Sequence, residues 1–244
     1  LHKMAQDLLK GKKGIIFGAL NEMSIAWKVA EQAVAHGAEI VLTNAPIAMR
    51  MGTINELAAK CNNCPVIPAD ATSEEDIQKL FEGSMEHFGG KIDFVLHSIG
   101  MSPNVRKGRH YTDLNYKFLQ TTLDVSAISL HKTLATAKKL DALNDWGSVV
   151  ALTYIAAQRT FPDYGDMADA KSLLESITRS FGYHYGVANK VRVNTISQSP
   201  TITTAGSGVK GFDEFIAYSE SMSPLGNADA LACADYCITM FSDL

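Results

Sequence analysis

Short apolar runs of strand length alternate with longer amphipathic runs along the chain, and this rhythm limits the folds available to it. The apolar runs show little polar alternation, which indicates strands that are buried on both faces of a sheet. Because amphipathic segments separate them, we expect parallel strands joined by right-handed crossovers, in a doubly wound α/β fold. The predicted strands are KGIIF (13–17), EIVLT (39–43), PVIPA (65–69), DFVLHSIG (93–100), GSVVALTY (147–154) and KVRVNTIS (190–197).

The segments between these strands carry the spacing and the end signals of helices. Ser73 and Asp76 are placed as a variant capping box, while Gly37 and Gly89 are placed as C-terminal caps. Parallel strands separated by helices place a ligand at the carboxyl ends of the strands. The predicted helices cover residues 24–37, 50–60, 73–89, a long stretch that ends near Lys138, 164–187 and 227–241.

The charge balance and the apolar runs exclude several classes of protein. The chain has 244 residues, with 22 Lys plus Arg against 26 Asp plus Glu and a net charge of −4. This balance gives no reason to expect nucleic acid or a membrane surface as a partner. No apolar run has the length of a membrane span, and the N-terminus LHKMAQDLLKGKKG lacks the apolar core of a signal peptide. We expect one cytoplasmic domain over residues 1–244, with residues 1–8 flexible.

The four cysteines fit a reducing compartment. Cys61 and Cys64 form a CNNC, which is compatible with a redox pair, with half of a zinc site or with structural thiols. A redox pair is expected at a strand-to-helix turn, whereas this one follows a predicted helix. No second CxxC or histidine pair nearby completes a zinc site. Structural thiols and no metal are therefore expected, and Cys233 and Cys237 have the spacing of one helix face.

Tyr164 and Lys171 stand seven residues apart in a segment that we predict to be helical. At 3.6 residues per turn this spacing places both side chains on nearly the same face. A phenol there can donate a hydrogen bond to a developing oxyanion, while an ammonium holds a cofactor hydroxyl and favours the ionised phenol. The alternative for this pair is a half-buried aromatic residue beside a solvated surface charge.

The loop after the first predicted strand occupies the turn where a Rossmann-type fold binds a pyrophosphate. Gly18 allows a close approach of the backbone, and Ser24 can cap the following helix, whose amides then face an anion. The usual three-glycine fingerprint is absent, since only its first glycine is present. A plain strand–turn–helix connection explains this loop equally well.

Four segments together resemble the bacterial enoyl-acyl-carrier-protein reductases, a divergent branch of the short-chain dehydrogenase/reductases. The resemblance runs from Leu9 to about Leu244, in the same order and spacing as in that branch. It implies a Rossmann-type parallel sheet with helices on both faces. The segments are GALNEMSIAW (18–27), LHSIG (96–100), the set Tyr154, Tyr164, Met167 and Lys171, and RVNTISQSPTITTAGSG (192–208).

The resemblance implies reduction of the trans-2 C=C bond of an enoyl thioester on acyl carrier protein, in fatty-acid elongation. Tyr164 would donate a hydrogen bond to the enolate oxygen, and Lys171 would bind the ribose of the nicotinamide cofactor. Tyr154 would be the second aromatic residue of the site, or else an aromatic that packs the pocket wall. A homotetramer is also implied. The residues that follow 39–43 include neither an acid nor a pair of bases, although Arg50 is near. We expect NADH, with NADPH as the alternative.

The resemblance also suggests which residues hold the cofactor. Gly18, Ser24 and Ile25 would face the pyrophosphate, and Asp70 with Ala71 would face the adenine, although Asp70 has an alternative role in forming a turn. The remaining expected contacts of the cofactor are Ser98, Ile99, Gly100, Lys171 and Thr203.

An apolar acyl pocket is expected beside the cofactor, with residues 203–222 as a lid whose glycines permit movement. An ordered surface helix is the alternative for this segment. A basic cluster, Arg106, Lys107 and Arg109, could meet an acidic carrier protein, but a solvated loop is the favoured explanation. The expected pocket residues are Met101, Tyr154, Tyr164, Met167, Val209, Phe212 and Ile216.

Two alternatives to this function stay open at the level of sequence. An ordinary carbonyl-reducing short-chain dehydrogenase uses a serine and a YxxxK spacing, whereas this chain has Ala151 and Ala168 at the corresponding positions. A nucleotide-binding sensor without turnover is the other, although it would not need the phenol. The chain departs from the family in Gln198-Ser199-Pro200-Thr201, where Ala-Gly-Pro-Ile is more usual. It also lacks a last strand and an Asp-Gly-Gly tail that we expect after residue 244.

Overall fold

Five parallel strands form the sheet of the computed structural model, which describes residues 7–203 and 211–244. Their order is β2-β1-β3-β4-β5, so the chain moves outward from β1 in one direction and then in the other. This reversal is the hallmark of a doubly wound sheet, and the fold class predicted from the sequence is confirmed. The strands are β1 (Lys13–Phe17), β2 (Glu39–Thr43), β3 (Ile92–His97), β4 (Leu143–Thr153) and β5 (Arg192–Ser197).

Helices cover both faces of this sheet. Tyr164 precedes α8 rather than lying inside it, and the segment predicted as one helix over 50–60 is divided at Gly52 and Thr53. Most of the flexible start expected over residues 1–8 lies outside the described residues. The helices are α1 (Ile25–Ala35), α2 (Pro46–Met51), α3 (Ile54–Lys60), α4 (Glu74–Phe88), α5 (Pro103–Arg106), α6 (Tyr116–Leu123), α7 (Ser129–Lys139), α8 (Met167–Asn189), α9 (Phe212–Met222) and α10 (Ala230–Phe241).

The strand predicted over PVIPA is wrong. Residues 65–69 make only an isolated parallel bridge, between Val66 and Leu42 of β2. The Leu42 amide donates to the Pro65 carbonyl at 3.0 Å, and the Ile67 amide donates to the Leu42 carbonyl at 3.0 Å. Pro65 and Pro68 have no amide hydrogen, so they cannot donate to a sheet ladder. The apolar run therefore follows the edge of the sheet without extending it.

Predicted helix ends are confirmed with one change of partner. The Ser73 hydroxyl accepts from the Asp76 amide at 3.2 Å, and Gly89 ends α4 with φ 65°. In a full capping box the Asp76 carboxylate would accept from the Ser73 amide. It accepts instead from the Asp70 amide at 2.9 Å, which ties the turn before the helix to its first turn. Gly37, just beyond α1, has φ 92°.

The long helix predicted to end near Lys138 is interrupted by one wider turn. Residues Asp124–Ile128 form a π-helical turn that joins α6 to α7. Such a turn displaces the side chains after it relative to a regular helix, and it often marks a functional site. Here it carries Ser126, whose hydroxyl contacts the loop that follows β3.

The core has two parts, one on each face of the sheet. Side chains of α1, α3 and α10 pack on one face, and those of α4, α7 and α8 pack on the other. Cys233 and Cys237 are both buried on the inner face of α10, as their spacing predicts. Burial raises the pKa of Cys61 to about 12 and that of Cys64 to about 11, so both thiols stay protonated, as expected of structural thiols. Within 7–203 and 211–244, no helix is long and apolar enough to cross a membrane.

The contact between Phe94 of β3 and Phe241 of α10 tests how α10 stabilises the sheet. Their rings stack with centroids 4.5 Å apart, and both side chains are fully buried. Phe241→Ala should lower the free energy of unfolding by about 3–5 kcal/mol, because it leaves a cavity against the sheet. Urea denaturation measures this change. The control Tyr236→Ala alters a mostly exposed residue on the same helix and should cost at most about 0.5 kcal/mol. A loss for Phe241→Ala as small as that of the control would show that α10 contributes little to the core.

Candidate active site

The site is built where β1 and β3 end side by side, at the point where the strand order reverses. Phe17 pairs with His97 at the ends of these strands, so Gly18 and Ser98 follow at the same edge. Gly18 has φ 101°, and a Cβ added to it would lie 1.9 Å from the Ser98 carbonyl oxygen. Only glycine fits this position, because any side chain would collide with the neighbouring backbone. The backbone of Gly18 therefore approaches the loop after β3 closely, whereas the sequence predicted a close approach to a pyrophosphate.

Ser24 organises the loop before α1 differently from the prediction. It occupies the capping position of α1, but its hydroxyl makes no hydrogen bond to the helix. The hydroxyl accepts instead from the amides of Leu20 at 3.0 Å and Asn21 at 3.2 Å, because the loop folds back over it. The first turn of α1 has no acidic side chain, so its positive end stays suited to an anion such as the pyrophosphate expected near Ile25.

The residues predicted around the adenine show turn geometry. The Asp70 carboxylate accepts from the Thr72 amide at 2.9 Å and from the Thr72 hydroxyl at 2.7 Å. These bonds favour the turn-forming role of Asp70, while Ala71 is buried beside it. Next to them the Asn44 amide donates to the Ala19 carbonyl at 2.9 Å, which joins the loops after β1 and β2. A direct contact of Asp70 or Ala71 with a cofactor stays a prediction.

Tyr164 and Lys171 do not share a helix face, and that part of the prediction is wrong. Tyr164 ends a short 3₁₀ turn (Pro162–Tyr164), and Gly165 with φ 54° separates it from α8. The positive φ turns the backbone between the two residues, so helical spacing cannot relate them. Lys171 alone lies on α8, in its second turn.

Tyr154 and Tyr164 nevertheless meet in an aromatic cluster at the carboxyl end of β4. Their ring centroids are 5.1 Å apart, and Tyr154 also contacts Phe161 and Phe215, each at 5.8 Å. Burial, and then the neighbouring Tyr154, raise the pKa of Tyr164 well above its usual range. Burial raises the pKa of Tyr154 to about 12. Both phenols therefore stay neutral and keep a proton to donate.

Lys171 is buried, and its ammonium group points toward the loop after β3. Its Nζ donates to the Leu152 carbonyl at 2.7 Å and lies 3.8 Å from the position of a Cβ on Gly100. Burial lowers the pKa of Lys171 to about 8, while Glu175 acts in the opposite direction. An ammonium has three protons to donate, so one bond to Leu152 leaves donors for the hydroxyls of a ribose. The buried lysine, the neighbouring Gly100 and the glycine turn at residue 18 fit a nicotinamide dinucleotide.

His97, the last residue of β3, is buried next to this site. Its ring is fully buried, and Nε2 lies 2.8 Å from the Ser129 hydroxyl of α7. The Ser129 hydroxyl donates to the Val125 carbonyl at 2.7 Å, so the His97 ring is placed to donate from Nε2. Burial, with help from the charge of Lys171, lowers the pKa of His97 to about 3. The ring is neutral at physiological pH and adds no charge to the site.

The two methionines predicted in the acyl pocket are held by the π-helical turn. The Ser126 hydroxyl accepts from the Met101 amide at 2.9 Å and lies 3.0 Å from the Met101 carbonyl. It also lies 3.7 Å from the sulfur of Met167, whose Cε is 3.4 Å from the Cβ position of Gly100. Met101, Met167 and Gly100 therefore come together next to Lys171, while their contacts with an acyl chain or a cofactor stay predictions.

A cleft of about 340 Å³ opens beside the aromatic cluster, at the ends of β4 and β5. Tyr154 is the predicted site residue that lines it, while Phe161, Phe215, Tyr218 and Met222 were not predicted. On α9, residues 215, 218 and 222 have the spacing of one helix face, and this pattern was the available signal. The walls are formed by Tyr154, Ile155, Phe161, Ser197, Gln198, Ser199, Pro200, Phe215, Tyr218, Ser219, Met222 and Ser223.

For several residues predicted in the lid, a contact with the substrate stays a prediction. Val209 lies outside the described residues, as do Gly206 and Gly208. Phe212 and Ile216 are partly buried on α9, which begins after Gly211 with φ 72°. Thr203 is the last described residue before this gap.

The polar loop that departs from the family pattern is tied to the segment before α10. The Gln198 amide nitrogen lies 2.9 Å from the Ala228 carbonyl and 3.2 Å from the Asp229 carbonyl. The Ser199 hydroxyl accepts from the Ala228 amide at 3.2 Å. The polar side chains of Gln198 and Ser199 thus fasten this loop to residues 228 and 229, next to the start of α10.

The basic cluster is partly neutralised by its own loop. Arg109 lies 3.3 Å from the Asp113 carboxylate and donates to the Asp113 carbonyl at 3.0 Å, while the Lys107 ammonium lies 5.6 Å from the centre of the Phe118 ring. All three basic residues of the cluster are exposed. These contacts favour a solvated loop.

A neutral phenol and a buried ammonium at the carboxyl ends of the strands suit hydride transfer from a dinucleotide, because a phenol can donate to developing negative charge and an ammonium can hold a ribose. The fold and the site therefore define a nicotinamide-dependent reductase. A family model described as enoyl-(acyl carrier protein) reductase matches residues 18–244, and the chain belongs to this family. The resemblance read from the motifs is confirmed.

Individual relatives agree with the family. The enoyl-[acyl-carrier-protein] reductase [NADH] FabI of Rickettsia bellii is 36% identical over 223 residues, which cover 91% of this chain and 83% of the relative. The crystal structure of a FabI–NADH complex from Alistipes finegoldii is 68% identical, covers 97% of this chain and 83% of its own, and has a TM-score of 0.95. A structure of FabI from the same organism is 65% identical with a TM-score of 0.91, over 97% of this chain and 85% of its own.

The depressed pKa of Lys171 gives a pH dependence of stability. Its folded-state pKa is about 8 against an ordinary 10.5, so the unfolded chain binds more protons between these values. Stability therefore rises with pH across this window, by up to about 3 kcal/mol. We expect the free energy of unfolding of the ligand-free wild type, minus that of Lys171→Met, to increase between about pH 8 and about pH 10. Urea denaturation at several pH values measures the difference, and a flat difference would contradict the depressed pKa.

Proposed function

We propose that Tyr164, Lys171 and Tyr154 form the catalytic set of this chain, with Tyr164 as the hydrogen-bond donor. As a member of its family, the chain is an oxidoreductase that reduces the trans-2 C=C bond of enoyl-acyl-carrier-protein thioesters in fatty-acid elongation. The observation that carries the residue roles is the pair of neutral tyrosines, 5.1 Å apart, of which Tyr154 lines the cleft.

NADH is the cofactor, in agreement with the relatives named as NADH enzymes and with the neighbour solved as an NADH complex. When bound, it supplies the hydride that is transferred to the β-carbon of the substrate. The residues proposed to hold it are those that the sequence predicted: Gly18, Ser24, Ile25, Asp70, Ala71, Ser98, Ile99, Gly100, Lys171 and Thr203. Among them, Gly18 allows the loops after β1 and β3 to meet, Gly100 lies beside the Lys171 ammonium, and Lys171 offers a buried positive charge.

Tyr164 stabilises the negative charge that develops on the thioester oxygen. A hydrogen-bond donor contributes most where charge appears only in the transition state, in a site from which water is excluded. Because burial keeps the phenol neutral, Tyr164 retains its proton over the physiological range. Tyr154 packs against Tyr164 and lines the cleft, so it orients the donor and forms part of the acyl-binding wall.

Carbonyl reduction is disfavoured by two of the side chains present. Ala151 of β4 is buried where an ordinary short-chain dehydrogenase has its serine, and Ala168 of α8 stands where the YxxxK lysine would be. Neither methyl group can donate or accept a proton. The lysine of this chain lies one helical turn further along, at residue 171.

The substrate, assembly and location follow from the same resemblance. We propose that acyl carrier protein delivers the enoyl chain to the cleft, with Met101, Met167, Phe212 and Val209 completing the pocket. We also propose a homotetramer in the cytoplasm. Support for association comes from Tyr183 and Val187, one turn apart on α8, which are exposed by 69% and 73%. Their apolar surface would be covered in an assembly.

The test of the reaction is loss of reduced-nicotinamide absorbance with crotonyl thioester, run in parallel with NADH and NADPH. Oxidation that depends on the enoyl substrate and prefers NADH is expected. Silence with both nucleotides, in a protein shown to bind NADH, would overturn the enzymatic function in favour of a nucleotide-binding sensor.

Tyr164→Phe removes one phenolic hydroxyl and tests the donor. The turnover number should fall by about 10²–10³-fold, as expected when one donor to a developing oxyanion is lost. NADH binding should stay nearly unchanged, because only transition-state stabilisation is removed. The control Tyr116→Phe makes the same chemical change at an exposed residue of α6 and should retain full activity. An unimpaired Tyr164→Phe would refute the assigned role.

Lys171→Met tests the ribose contact. The dissociation constant of NADH should rise by about tenfold to a hundredfold, since hydrogen bonds from a charged group contribute about 1.5–3 kcal/mol. Titration of the intrinsic fluorescence with NADH measures this constant. An unchanged constant would show that the ammonium does not hold the nucleotide.

A further inference from the structure

Asp166 is a fully buried carboxylate between the Tyr164 turn and α8. Its Oδ1 accepts from the Ser102 hydroxyl at 2.5 Å, and its Oδ2 accepts from the Asn104 amide at 2.8 Å. The Thr122 hydroxyl lies 3.0 Å from the same Oδ2. A buried carboxyl group is costly unless it is hydrogen-bonded, and these three donors satisfy its two oxygens.

The bonds of Asp166 all go to other segments of the chain. Although Asp166 stands at the capping position of α8, its side chain makes no hydrogen bond to that helix. Ser102 and Asn104 lie at the start of α5, and Thr122 lies on α6. A residue that only stabilised the N-terminus of α8 would accept hydrogen bonds from the free amides of the first turn of that helix. Asp166 instead joins α8 to the segment that follows β3.

That segment carries one wall of the site. Ser102 directly follows Met101, and its hydroxyl also accepts from the Val105 amide at 3.0 Å. The Asn104 side chain makes two hydrogen bonds to the backbone of Asn115. Its Oδ1 accepts from the Asn115 N–H at 3.0 Å, and its Nδ2 donates to the Asn115 carbonyl at 3.2 Å. The carboxylate thus anchors a loop whose two ends are already fastened to each other.

The Tyr164 turn is pressed against the same loop. A Cβ added to Gly165 would lie 3.2 Å from Cγ2 of Val105, so the turn and α5 are in close contact. Met167, on the other side of Asp166, touches Gly100 and Ser126. The position of Tyr164 relative to Met101 and Gly100 is therefore set by the bonds that converge on Asp166.

We propose, on the basis of the function proposed above, that Asp166 is a positioning residue for the reduction. Its carboxylate holds the Tyr164 turn and the loop after β3 in the relative position that the hydrogen bond to the substrate oxygen requires. Small displacements of a catalytic group lower the rate steeply, so a loss of this anchor should appear in turnover before it appears in nucleotide binding.

Asp166→Asn tests the proposal with little change of shape. An asparagine has one acceptor oxygen and turns its amide toward one of the present donors, so the cluster cannot be fully satisfied. The turnover number should fall by about tenfold to a hundredfold, while the dissociation constant of NADH changes by less than about twofold. The matched control is Asp169→Asn, the same change one turn along, at a partly exposed residue that accepts from the Tyr111 hydroxyl. It should keep its turnover within about twofold.

A double-mutant cycle with Tyr164→Phe distinguishes positioning from general damage. If Asp166 acts through Tyr164, Asp166→Asn should cost less than about twofold in the Tyr164→Phe background. Equal fold losses in the two backgrounds would overturn the proposal. So would a fully active Asp166→Asn.

Ser102→Ala provides the second route if Asp166→Asn does not fold. It removes the shortest bond to Asp166 and leaves the carboxylate in place. A fall in turnover with unchanged NADH binding is expected, and an unchanged turnover would overturn the proposal. If the wild type itself fails to reduce the enoyl thioester, the proposed function falls, and the positioning role with it. An active wild type with unimpaired variants overturns the positioning role alone.

Discussion

The contact between the ends of β1 and β3 is the constraint on which the site depends. Gly18 approaches the Ser98 carbonyl so closely that no side chain could stand there, and the two loops leave the sheet together as a result. This is the point at which the strand order reverses, so the helices that follow go to opposite faces and open a crevice between them. A larger residue at position 18 would push the two loops apart, and the crevice between the helices would lose its present shape.

Burial, rather than ionisation by a neighbour, explains the electrostatics of the site. The Lys171 ammonium is buried against one carbonyl, and the neighbouring His97 stays neutral, so the positive charge is kept for the cofactor. The phenol of Tyr164 stays protonated for the same reason. One physical effect, burial, therefore underlies both the binding role that we propose for Lys171 and the donor role that we propose for Tyr164.

The predicted fold was largely recoverable because its signals are local. Five of six predicted strands are present in the sheet, and the sixth failed where Pro65 and Pro68 remove the donors that a ladder needs. The helix ends at Gly37 and Gly89 were readable because a positive φ favours glycine. The pairing of Tyr164 with Lys171 by helical spacing failed because Gly165 ends the regular backbone between them.

By itself the sequence determined the parallel sheet, the family and the residue types that meet at the carboxyl ends of the strands. Periodicity and short motifs depend on residues that are close together in the chain, so they can be recognised without knowing how the chain packs. Only the tertiary structure decided that Tyr154 touches both Tyr164 and Phe215, and that Asp166 accepts hydrogen bonds from Ser102, Asn104 and Thr122. Those partners come from separate segments, and their meeting depends on how α5, α6, α8 and α9 pack against one another.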